Sequence, residues 1–253
     1  MDIKDSAMNI LLSKNYHKTF IVPITLLITF IIPLFLLVYI TQNYGEELEV
    51  KLKLVIILLI LSALVSSYGM YTMSYYKIKP KTLATSTIFG ALLSSSIWWG
   101  MLFPPFLYKI VPIMTALTFY FPGGIIYAAL VSATLNEGSR TESFYMMLVY
   151  GIISELIYPN PLWILYYLGW GSLLQLVKNS LSMYKRSYLA IVLLSFLFGY
   201  VGAALAKCYI IVNWGNWDPL FKSIPGSLID GLFSALGGVI GYRIGVTIRS
   251  LPV

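Results

Sequence analysis

Long apolar runs, separated by short polar or charged breaks, divide the chain into eight segments: roughly 20–40, 54–74, 82–104, 110–134, 143–158, 161–178, 187–209 and 225–248. Within them the apolar positions are nearly continuous rather than confined to one stripe, so these are helices with no water-facing side. Most reach the roughly 20 residues that a helix needs to cross a bilayer. The pattern therefore predicts an all-α, polytopic membrane bundle of about eight crossings. The first run starts near Phe20 and is too long for a signal-peptide core, so it reads as a retained helix.

The fifth and sixth segments are the short ones. "YPNP" (158–161) joins them and cannot be helical throughout, because its two prolines restrict both themselves and the residues before them. A hairpin of this length predicts a turn set below the outer surface. Such a turn is tolerated where it is buried in protein or lines a wet cavity. A hairpin with less tilt in a thinned bilayer is the alternative.

Composition agrees. Hydrophobic residues make up 58% of the 253 and charged residues 11%, which is too little charge for a water-soluble domain of this size. With the N-terminus placed in the cytoplasm, twelve lysines and arginines fall inside, among them Lys77, Lys79, Lys81, Arg140, Lys178 and Arg243. Five fall outside: Lys51, Lys53, Lys109, Lys207 and Lys222. That bias predicts a multi-pass cell-membrane protein with both termini cytoplasmic, and the net charge of +7 then suits a cytoplasmic face against anionic lipid. One cysteine, Cys208, excludes an internal disulfide and a CxxC site. One histidine, His17, lies in the polar N-terminus and excludes bis-histidine haem and a Ser–His pair in the bilayer. No metal, cofactor or nucleic acid is expected.

Three ionisable residues sit within or beside apolar runs: Glu155, Lys207 and Asp230. An unpaired charge at mid-bilayer costs about 3 kcal/mol, so each needs a partner or a use. Asp230, Gly237 and Gly241 fall within about 20° of one helix face, which aims Asp230 into the bundle. A structural pairing of Lys207 with Asp230 is one outcome, and a lysine reaching for the outer interface is another. All six tryptophans are outer or central, and Trp163, Tyr166, Tyr167 and Trp170 closely follow Glu155. This suggests an outward aromatic cavity able to stack a planar or cationic ring, with Glu155 as its polar partner. The outer stretch "NWGNWDPLFKSIPG" (213–226) is long enough for a lid.

Small residues recur at helical spacing. Gly237, Gly241 and Gly245 form a ridge in the last segment, and Ser86, Gly90 and Ser94, with Ala91 alongside, form another in the third. Such ridges bring backbones together, most often within one chain and sometimes against a partner subunit.

From Leu83 to Ile248 the chain resembles the substrate-binding S components of energy-coupling factor (ECF) vitamin transporters. The stretches that carry this are "FPGGIIYAALVSA", "SELIYPNPLWILYYLGWGSLLQL" and "IPGSLIDGLFSALGGVIGYRIG". The middle one is most similar to the thiamine or hydroxymethylpyrimidine branch. The resemblance implies a six-helix domain over 82–250; the tail and two helices over 1–76 that precede it depart from the family, whose six-helix members lack them. The resemblance also implies a vitamin-like ligand at the outer face, a coupling membrane subunit and ATPase subunits. Glu155, Trp163, Tyr167, Trp214, Asn216 and Asp230 are the implied ligand-binding positions, and Ser86, Gly90, Ala91 and Ser94 the docking ridge. No GxxxxGK[ST] loop is present to bind ATP in this chain itself, and no enzymatic activity is expected. The competing reading is a non-catalytic structural subunit of a larger, respiratory-type membrane complex.

Overall fold

A computed structural model describes residues 21–102, 113–157, 159–181, 187–215 and 220–250. The described residues are all-α. Eight helices follow in chain order: α1 (Val22–Asn43), α2 (Leu48–Tyr75), α3 (Pro80–Leu102), α4 (Phe121–Thr134), α5 (Glu142–Ile157), α6 (Pro161–Ser180), α7 (Tyr188–Trp214) and α8 (Leu220–Ser250). Each coincides with one apolar run. Four spans are long and apolar enough to cross a membrane: Val22–Asn43, Ala116–Glu137, Tyr188–Trp214 and Ile224–Ser250. That marks a membrane protein.

The bundle is apolar outside and partly polar inside. On α2, Leu52, Ile56, Ile60 and Leu64 are 51–63% exposed, while the buried face reads Leu54, Leu58, Ser62, Ser66, Gly69 and Thr72. The exposed stripe of α8 is Leu232, Leu236, Ile240 and Ile244, and that of α1 is Ile24, Leu27, Ile31 and Phe35. In water this arrangement would leave the apolar surface uncovered; against acyl chains it costs nothing. The buried hydroxyls of α1 and α2 bond back to their own helix, as Thr29 does to the Thr25 carbonyl (2.7 Å) and Ser66 to that of Ser62 (2.6 Å).

The most extensive packing joins α4 to α8 and α7 to α8. At the first seam Gly237, Gly241 and Gly245 lie directly against the backbone carbonyls of Phe121, Ile125 and Ala129. A side chain there would occupy the space of the facing backbone, which is why the ridge is glycine. The two N-terminal helices touch each other little. Each docks separately on the remaining six, α1 on α7 and α2 on α6. Tyr200 donates to the Phe30 carbonyl (3.1 Å) with its ring stacked on Phe30 (4.5 Å), and Tyr209 donates to Ser62 Oγ (2.9 Å).

Two boundaries depart from the apolar pattern. Helix α2 begins at Leu48, a turn and a half before its apolar run, because the Glu49–Lys53 ion pair (2.7 Å, four residues apart) lets charge continue a helix. Helix α8 begins at Leu220 and carries Pro225 near its start, so most of the stretch expected as an outer lid is helix. Of the connection from Gly215, residues 216–219 lie outside the described residues.

Candidate functional site

Aromatic rings from three helices and one irregular turn meet in the interior. Before α4 the chain makes a π-helical turn, Ala116–Tyr120, at the point where Pro122 cannot donate a backbone hydrogen bond. This turn buries Tyr120. Helix α5 brings Tyr150, α6 brings Trp163, Tyr166, Tyr167 and Trp170, and α7 brings Phe198, Tyr209 and Trp214. Centroid separations run from 4.6 Å (Trp170–Phe198) and 4.8 Å (Tyr150–Tyr167, Tyr166–Tyr167) through 5.8 Å (Trp163–Tyr209, Trp163–Trp214) to 6.3 Å (Tyr150–Trp170, Trp163–Tyr167). These are tilted and edge-on contacts, the geometry aromatic pairs prefer.

The polar tips are anchored as the rings go in. Tyr166 donates to the Gly202 carbonyl (3.2 Å), and Trp170 Nε1 donates to the Phe198 carbonyl (3.1 Å). Gly202 is required here: a side chain at that position would overlap the Trp170 indole. At one end the cluster reaches the surface through Trp214, which is 61% exposed and packs on half-buried Trp163. Beside it, Val55, Leu58, Leu59, Leu162, Tyr209, Val212 and Asn213 line a cleft of about 10 Å³, room for one water.

Trp163, Tyr167 and Trp214, three of the residues expected at a binding site, belong to this single cluster. Glu155 lies at its outer margin. Its Oε2 accepts from the backbone N–H of Asn160 (2.8 Å), which closes the α5–α6 turn, and Asn160 in turn caps α6 by accepting from Leu162 N (3.3 Å). Glu155 Oε1 is buried and has no hydrogen-bond partner among the described residues. The carboxylate therefore makes its structural bond through one oxygen alone.

Asp230 faces into the bundle, 4% exposed, as its helical register predicts. Its backbone carbonyl lies against Gly199 of α7, next to Phe198 of the aromatic cluster. Lys207 donates to Ser227 Oγ (3.1 Å), one turn before Asp230. Asn216 lies outside the described residues. The ridge on α3 divides in two: Ser86, Gly90 and Ser94 are buried, with Gly90 against the Met146 carbonyl and Val149 of α5, whereas Ala91 is exposed. Within the single chain, then, the glycine of the expected docking ridge packs α3 on α5.

A second polar centre was not singled out from the sequence. Glu142, at the first turn of α5, is fully buried and ion-paired with Lys178 of α6. Lys178 also donates to the Ser139 carbonyl. Gln175 accepts from Ser143 N (2.9 Å) and Phe144 N (3.3 Å), and donates to Asn179 (2.9 Å), which reaches Tyr68 and the Arg140 carbonyl (3.1 and 3.2 Å). One face of α6, at spacing i, i+3 and i+4, thus holds the end of the α4–α5 turn and the start of α5. The signal was the cluster Gln175, Lys178 and Asn179, which share one face at the end of an otherwise apolar helix.

No family model, curated protein or solved structure matches this chain.

Proposed function

We propose that this chain is the solute-binding subunit of a membrane transport system, with its ligand site at the outer end of the aromatic cluster. In this reading all eight helices cross a cell membrane and both termini are cytoplasmic. The ligand is small and planar, carries an amino group or positive charge, and is vitamin-like; thiamine or a precursor fits, as the likeness to ECF S components implies. Uptake then requires a coupling membrane subunit and ATPase subunits, since this chain has no phosphate-binding loop.

One observation carries the proposal: a buried ring cluster, open to the surface at Trp214, has at its margin half-buried Glu155, whose Oε1 has no hydrogen-bond partner among the described residues, with buried Asp230 on the neighbouring α8. Rings supply stacking faces, and a carboxylate in a partly dry site supplies a charge-assisted hydrogen bond. The second reading, a non-catalytic subunit of a larger membrane complex, is favoured by the close ring-on-ring packing and by the backbone bonds that hold Tyr166 and Trp170 in place.

Glu155→Gln separates them. The variant keeps an acceptor for Asn160 N but removes the charge. If the site binds a cationic or amino-bearing ring, the dissociation constant rises about tenfold to hundredfold, equivalent to roughly 1.5–3 kcal/mol. Trp163 and Trp214 fluorescence reports it. Unchanged binding removes Glu155 from the site, and a loss of thermal stability alone assigns it to the turn.

A further inference from the structure

Helices α2 and α3 are joined by four residues, 76–79, yet they diverge at once and scarcely touch. α2 packs on α6 and α3 packs on α5, while α5 and α6 pack on each other. Gly69 of α2 lies against Phe144 of α5, and Gly90 of α3 against Met146 and Val149 of α5, so the two helices flank α5 and leave a channel between them with α5 as its floor. The α3 wall carries exposed Ile88 and Leu92, and the floor carries exposed Ile152. No other described helix covers it.

The closed end of the channel is basic. Lys77, Lys79 and Lys81 flank the start of α3, and Arg140 stands on the α4–α5 turn. Lys79 and Lys81 both reach Glu137 (3.8 and 4.0 Å), so two ammonium groups share one carboxylate. Arg140 donates to Tyr76 OH (3.0 Å) and lies over the Tyr76 ring (5.0 Å), which ties the end of α2 to the same turn. Four cationic side chains against a single carboxylate leave an excess of positive charge, with Lys79, Lys81 and Arg140 positioned by the contacts above. Exposed Tyr71 and Tyr75, stacked at 5.6 Å, lead away from it along α2 as tyrosines do at a membrane interface.

An apolar channel that ends in a fixed basic rim matches one molecule in shape and charge: acyl chains along the channel, a phosphate at its end. We infer that the α2–α3 channel seats one phospholipid with an anionic headgroup. The inference rests on the membrane reading above and adds a discrete site to it. The lysines and Arg140 recognise the phosphate and the headgroup charge, and the channel recognises the chains.

The test uses the full chain purified in neutral detergent, titrated with phosphatidylglycerol, phosphatidylcholine or soluble glycerol 3-phosphate. Retained lipid is counted by native mass spectrometry. Each basic residue near an anionic headgroup favours it about fivefold, so one phosphatidylglycerol is retained with a preference over phosphatidylcholine on the order of tenfold to hundredfold. The triple variant Lys79→Gln/Lys81→Gln/Arg140→Gln brings the preference within about twofold by the same reasoning. The charge-keeping variant Lys79→Arg/Lys81→Arg/Arg140→Lys preserves it. Ile88→Trp, which fills the channel, loses both lipids. Equal retention of the two lipids by the wild type overturns the inference, and so does a triple variant that keeps its selectivity. Protection by glycerol 3-phosphate equal to that by phosphatidylglycerol also overturns it, since the site would then bind free phosphate. Alkaline carbonate extraction distinguishes the two levels: release of the chain from membranes sinks the membrane reading, whereas retention without lipid preference sinks this inference alone.

Discussion

Replacing Lys178 by methionine removes the only ion-pair partner that Glu142 has among the described residues. Glu142 is fully buried, so its carboxylate cannot turn to water, and the contact of Lys178 with the Ser139 carbonyl disappears as well. Removing one member of a buried pair costs about 3–5 kcal/mol, because the other charge is left without compensation. Here the lower end applies. Glu142 stands at the first turn of α5, where the helix dipole and free backbone N–H groups favour a negative charge even without the lysine. About 3 kcal/mol in a chain of this size corresponds to a fall in Tm of roughly 6–12 °C. The protein supplies its own reporter. Cys208 is the sole cysteine and is fully buried, so a thiol-reactive dye labels it only on unfolding. The double variant Lys178→Met/Glu142→Gln removes both charges and should recover most of the loss, because exchanging a whole buried pair for neutral groups is often close to neutral. A single variant within about 2 °C of wild type would refute the reasoning, on the same size scaling. A double variant as unstable as the single one would refute it too, since coupling between the two side chains is what the structure requires.

Other outcomes follow from the same geometry. Gly241→Val should destabilise by about 1–3 kcal/mol in the same dye assay, because its side chain meets the Ile125 carbonyl and Ala128 of α4; wild-type stability would mean that α4 and α8 do not pack so closely. In a Cys208→Ser background, cysteines at Glu46 and Asn216 should label from outside and cysteines at Lys79 and Lys185 from inside. Labelling of Lys79 and Asn216 positions from the same side would overturn the eight-crossing topology.

The elements were legible because apolar runs of helix length have few other fates. Even the break between α5 and α6 could be placed, since Pro159, Asn160 and Pro161 forbid a continuous helix and Asn160 caps the next one. Boundaries failed where charge occurs inside a helix, as at Glu49 and Lys53 of α2, because hydropathy cannot distinguish a charged first turn from a loop. The inward direction of Asp230 followed from the 3.6-residue period alone. Two features did not follow. The division of the α3 ridge into buried Gly90 and exposed Ala91 depends on which neighbour lies against it, and adjacent ridge residues look alike in sequence. The Glu142–Lys178 pair joins residues 36 positions apart, and their complementarity exists only once α5 and α6 lie antiparallel. Glu155 was noticed for its isolation in an apolar stretch. Its bond to Asn160 N depends on the shape of the turn, which the two prolines imply but do not determine.

The central claim is that the aromatic cluster is a ligand site. Mass spectrometry of small molecules retained by the gently purified full chain tests it most directly. The account predicts one planar, amine-bearing or cationic solute per protein, lost on Glu155→Gln and on Trp163→Ala. Stoichiometric protein partners with no retained small molecule, in the wild type and in both variants alike, would contradict it and establish the structural subunit instead.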